Sequence, residues 1–152
     1  MKRKVCFFIG HRDAPESIYP ALVAAIEQHI TGRGVSCFVV GRYGSFDRLT
    51  RKALTEVKLK YPHIKIVTLM PYLTSEQDKT CPCDIDDRIY PEGLESVPRR
   101  YAIVRANRYM IDRSDYMICF VTHPASNAFN LLEYAHRRAR DGKITVTNIA
   151  DS

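Results

Sequence analysis

Short, continuous apolar runs recur along this chain, and a segment of different period follows each one. Lys4 to Ile9, Val35 to Val40, Ile64 to Leu69, Tyr116 to Val121 and Ile144 to Ile149 are strand-length and mostly apolar throughout. A strand apolar on both faces is covered on both faces, which is the signature of a parallel sheet between two helical layers. The segments between the runs supply those helices. Pro15 to Ile30 brings Ile18, Leu22, Ala25, Ile26 and Ile30 to one face, with Asp13 as a cap and Gly32 and Gly34 as the stop. Phe46 to Tyr61 places Leu49, Ala53 and Val57 at helical spacing, and Pro62 ends it. Val97 to Arg113, capped by Ser96, and Asn127 to Arg140, with Gly142 beyond its end, complete the set. Right-handed crossovers then predict one Rossmann-like, doubly wound α/β domain over residues 1–152, with a mainly parallel five-stranded sheet and helices on both faces.

The alternation breaks between Met70 and Ser96. Prolines, a Cys81-Pro82-Cys83 turn and the acidic Asp84-Ile85-Asp86-Asp87 replace any period, which predicts an irregular loop or lid over 70–96, or a plain surface excursion. Cys81 and Cys83 form the only close cysteine pair; without a second pair or spaced histidines, no metal site and no cofactor is expected. The net charge of +6 suits an anionic ligand and equally suits plain solubility. No apolar stretch reaches membrane-spanning length, and Val5 to Ile9 is too short for a signal-peptide core, so a cytoplasmic location is expected.

Ligands of doubly wound sheets bind beyond the carboxyl ends of the strands, where strand order reverses. Three turns of this chain lie at such ends. Gly10-His11-Arg12 joins a permissive backbone, an imidazole and a fixed cation. Gly41-Arg42-Tyr43-Gly44-Ser45-Phe46-Asp47 has the glycines and hydroxyl of an anion cradle at a helix start, although it is neither a P-loop nor a dinucleotide fingerprint. His123-Pro124-Ala125-Ser126-Asn127 opens the next helix, with Asn127 as its cap and Asn130 and Glu133 facing alike one turn on. In Val97–Arg113, Arg105 and Arg108 read as a solvated basic face, whereas Asn107 lies near apolar Ile103 and Met110 and is the more informative residue. The candidate ligand contacts are Gly10, His11, Arg12, Gly41, Tyr43, Gly44, Ser45, Asp47, Asn107, Asn127 and Asn130; each also has a plain structural reading, Asp47 as a partner of the helix dipole among them. No nucleophile–base spacing is specific.

Ile9-Gly10-His11-Arg12, Gly41 to Asp47 and Asn107-Arg108-Tyr109-Met110-Ile111-Asp112-Arg113-Ser114-Asp115 together resemble the SLOG superfamily, which includes the DprA/Smf, LOG and YpsA-like proteins. The Gly-His-Arg opening is most similar to the YpsA-like branch. The resemblance implies a Rossmann-like fold that binds nucleotides or nucleotide-derived ligands, and LOG-like relatives form dimers. LOG members hydrolyse cytokinin nucleotides with a Pro-Gly-Gly-x-Gly-Thr-x-x-Glu motif and a preceding Arg-Lys pair. Here Glu133 falls where the motif's glutamate would, but Pro124 to Glu133 lacks its glycines, and Ala106 and Asn107 hold the Arg-Lys positions.

Three functions follow as expectations. The first is binding or sensing of a nucleotide-type small molecule without catalysis, by a chain that can pair as a homodimer. The second is hydrolysis of a nucleoside monophosphate at its N-glycosidic bond, with Glu133 the single catalytic candidate. The third, a DprA-like nucleic-acid module, ranks last because the basic residues are scattered and show no stacking platform.

Overall fold

The computed structural model describes residues 3–71, 87–91, 94 and 96–151; the Cys81-Pro82-Cys83 turn and most of the segment between Met70 and Ser96 lie outside them. Six parallel strands form one sheet in the order β4-β3-β2-β1-β5-β6: β1 (Lys4–Gly10), β2 (Val35–Val40), β3 (Lys65–Leu69), β4 (Asp87–Ile89), β5 (Tyr116–Phe120) and β6 (Thr145–Asn148). The sheet therefore has six strands, not five. The extra one is β4, inside the segment read as irregular. Its three residues pair Val67 with Asp87, Thr68 with Arg88 and Leu69 with Ile89, and Met70 N donates to the Ile89 carbonyl at 2.7 Å. A three-residue edge strand has no length in which a period can show, which is why the sequence hides it.

Helices α1 (Tyr19–Arg33) and α2 (Ser45–Lys60) cover one face, and α3 (Arg99–Arg113) and α4 (Asn127–Arg140) cover the other. The alternation of β1 distributes the core between them. Cys6 and Phe8 pack with Leu22, Ile26 and Leu54 on the first face. Phe7 and Ile9 pack with Met110, Leu131 and Ala135 on the second. Among the described residues no helix is long and apolar enough to cross a membrane.

Three helix starts differ from expectation. A short 3-10 turn (Glu16–Ile18) precedes α1, and no side chain caps either, so Asp13 is not a cap. Pro98, not Ser96, holds the N-cap of α3, and its carbonyl accepts from Tyr101 and Ala102 N–H. Ser126, not Asn127, caps α4: its backbone is extended and its Oγ accepts from Phe129 N–H at 3.1 Å. At the other ends the glycines are where they were expected, with Gly34 (φ 69°) closing α1 and Gly142 (φ 73°) following α4.

Candidate functional site

The strand order reverses between β1 and β5, so their carboxyl ends open a crevice. His11 stitches the two loops there. Its own N–H donates to the Phe120 carbonyl, and Thr122 N–H donates to its Nε2 at 2.9 Å. A backbone amide can only donate, so Nε2 carries no proton and the ring's N–H is on Nδ1. His11 is 5% exposed. Burial, and then the neighbouring His123, hold its pKa below the usual histidine value, while Asp13 pulls the other way. The two imidazoles stack face to face, 4.1 Å between centroids.

The second glycine turn is bolted to the first. Ser45 N–H donates to the Arg12 carbonyl at 2.8 Å, and Ser45 Oγ donates to the Ala14 carbonyl at 2.7 Å. Gly44 (φ 93°, ψ 177°) lies against the Arg12 backbone, and a Cβ there would stand 2.8 Å from Arg12 Cα. Gly10 meets the Phe46 ring where its own side chain would have been. These close approaches need glycine for packing as much as for conformation.

Asp47, in the first turn of α2, folds back so that its Oδ2 accepts from Tyr43 N–H at 3.0 Å. Its carboxyl occupies the place of a Gly41 side chain, since a Cβ on Gly41 would lie 2.7 Å from Oδ2. Burial pushes the Asp47 pKa up to about 7, against the lowering pull of Tyr43 N–H, Arg51 and Arg12.

From the opposite layer, Arg100, Ile103, Val104 and Asn107 of α3 share one helical stripe towards the crevice. The start of α4 adds Ser126, Asn127, Ala128 and Leu131. Phe129 and Asn130 N–H bond to Ser126, which leaves the N–H groups of Asn127 and Ala128 uncommitted at the positive end of the helix. Together these walls enclose a cavity of about 400 Å³.

Eight of the expected contacts line it: Gly10, His11, Arg12, Gly41, Tyr43, Asp47, Asn107 and Asn127. Four residues of interest do not. Gly44 and Ser45 stand behind the wall as the clamp on the first loop. Asn130 and Glu133 are exposed and lie off the cavity stripe of α4, which is Asn127, Ala128 and Leu131. Arg100, Asp13 and His123 line the cavity without having been singled out as contacts. Arg100 carried a usable signal, since it stands seven residues before Asn107 and so shares its face. No group of three or more metal-ligating side chains occurs among the described residues.

No protein-family profile matches the chain, and no curated protein does. Solved structures similar in fold include the following two. The Moco carrier protein of Chlamydomonas rheinhardtii superposes with a TM-score of 0.52 at 13% identity, over 98% of this chain and 92% of that one. DNA processing protein A of Helicobacter pylori, described for its binding of single-stranded DNA, gives 0.50 at 14% identity, over 99% and 78%. The chain is thus a Rossmann-like α/β protein with a parallel sheet between two helical layers.

Proposed function

We propose that this chain binds a phosphate-bearing, nucleotide-type small molecule at the carboxyl ends of β1, β2 and β5, as a SLOG-type protein closest to the YpsA-like branch and without catalysis of its own. One observation carries the reading. The cavity at the strand-order reversal gathers Arg12, Arg100 and the free N–H groups of Asn127 and Ala128, which suit an anion, beside the Asn107 amide and the His11 imidazole, which suit a sugar or base. The likeness in fold to a Moco carrier and to DNA processing protein A is in keeping with it. The hydrolase alternative relied on Glu133, which is exposed and does not line the cavity. A cytoplasmic location and a homodimer belong to the same proposal.

Thermal shift is the direct test. A ligand at a hundred times its Kd stabilises by about 2.7 kcal/mol, or a rise of roughly 5–10 °C for a chain this size. AMP, ADP-ribose or a related nucleotide is expected to give such a rise, and Arg12→Ala to lose most of it. A broad nucleotide panel without any shift sinks the reading.

A second reading has its own observation. The outer face of α3 and α4 interleaves arginine with tyrosine: Arg113 lies 3.7 Å over Tyr109, and Arg108 and Arg137 lie 5.2 and 5.9 Å from Tyr134. Arg108, Arg113 and Arg137 thus gather on two neighbouring helices, and such a face suits single-stranded nucleic acid. It predicts oligonucleotide affinity that falls about tenfold or more between 50 and 200 mM salt. Fluorescence anisotropy showing no binding at low salt removes it.

A further inference from the structure

Asp47 is half-satisfied. One carboxylate oxygen takes the Tyr43 N–H, and among the described residues no donor meets Oδ1. Arg12 and Arg51 are near enough to act on its charge, yet neither closes an ion pair with it. The carboxyl nonetheless faces the cavity. Asp47 is half-buried on the cavity wall, so an oxygen without a protein donor there is open to a donor on a ligand, and a bare anion is the wrong occupant because two negative charges repel. The neighbouring groups narrow the choice further. Arg12 belongs to the turn against which Gly44, just ahead of α2, is packed, so whatever meets Asp47 is close to whatever meets Arg12. In a nucleotide the group next to the phosphate is the sugar, with the base farther off.

We propose that Asp47 is the hydroxyl-binding end of the cavity, so that the ligand is a sugar phosphate or a nucleotide whose ribose hydroxyl donates to Asp47 Oδ1. This rests on the nucleotide reading above. It carries a consequence in protons. The Asp47 carboxyl titrates near 7 in the unliganded protein, and a hydroxyl donating to Oδ1 favours the ionised form. Binding therefore releases a proton, and affinity rises as pH increases through 7. The charged and titratable groups around it are Arg12, His11 and Asp13 after β1, Tyr43 after β2, Arg100 on α3, His123 after β5, and Arg51 on its own helix. The arginines keep their charge throughout, and Thr122 N–H favours the neutral His11 ring.

The experiment compares AMP with 2′,3′-dideoxyadenosine monophosphate on the whole chain, by calorimetry from pH 6 to pH 8. The phosphate of both ligands titrates alike, so the ratio of their affinities isolates the hydroxyl contact. That ratio is expected to grow about tenfold over the two pH units, and to stay flat in Asp47→Asn. A flat ratio in the wild type overturns the proposal, and no mutant is needed to see it. A ratio that still grows in Asp47→Asn overturns it as well. If both ligands bind with equal affinity at every pH, the nucleotide reading stands and this one falls. If neither AMP nor ribose 5-phosphate binds, both fall.

Discussion

Gly10→Ala is expected to lose about 3 kcal/mol of stability, at the upper end of what overpacking costs. The new methyl group would fall within the Phe46 ring. Phe46 has no room to retreat, because it is fully buried. Its helix is also held by the neighbouring residue, through the Ser45 bonds to Arg12 and Ala14. The loss corresponds to a fall in melting temperature of roughly 6–12 °C for a chain of this length. The cause is tested by relieving it: adding Phe46→Leu to Gly10→Ala is expected to recover part of the loss, although Phe46→Leu alone destabilises. Thermal or urea unfolding of the four proteins gives the coupling directly. A Gly10→Ala chain within 0.5 kcal/mol of wild type would mean that the end of β1 and the start of α2 are not packed as described.

The second large effect separates two glycines that both have positive φ. Gly34 (φ 69°, ψ 25°) closes α1 in the left-handed helical region and has nothing within 4 Å of an added Cβ. Gly34→Ala should therefore cost only the intrinsic penalty of that region, about 1 kcal/mol. Gly44 (φ 93°, ψ 177°) lies in a region that residues with a Cβ essentially do not enter. Its Cβ would also stand 2.8 Å from Arg12 Cα. Gly44→Ala is expected to cost about 3 kcal/mol or more, from backbone strain and displacement together. Because it pushes directly on Arg12, it should also weaken ligand binding, which Gly34→Ala should leave alone. Urea midpoints that are equal for the two variants would show that the clamp between the first two loops is slack.

The difference between what the sequence disclosed and what it withheld follows from length and period. β1, β2, β3 and β5 were legible because each is a largely apolar run between two helical layers, whereas β6, an edge strand with no buried residue, was betrayed by the apolar Ile144, Val146 and Ile149 in and beside it. β4 was not, because Asp87-Arg88-Ile89 at the sheet edge has neither length nor apolar continuity. Cavity-lining residues at the strand ends, His11, Arg12 and Gly41, and Asp47 at the start of α2, were nameable as candidates from their chemistry. Their division of labour was not. Ser45 has the composition of an anion cradle, but its hydroxyl and amide hold the first loop in place. On the helices, orientation decided the outcome. Asn127 reaches the cavity and Asn130, three residues on, does not, because the stripe runs through Ala128 and Leu131. His123 was legible only as part of its strand-end turn, since its place against His11 exists only once β1 and β5 are neighbours.

That neighbourhood bears on how the protein is made. Of the strands of this sheet, β1 is the first to leave the ribosome, and it becomes an interior strand between β2 and β5. Its partner β2 begins at Val35, but β5 begins only at Tyr116. Throughout the synthesis of the residues between, one edge of β1 is open, and Phe7 and Ile9 lack the α3 and α4 residues that cover them in the finished core. Pairing over so long a separation is slow, and an unpaired apolar edge is where nascent chains aggregate. The reversal of strand order that creates the cavity thus also sets how long, during synthesis, the second edge of β1 waits for its partner.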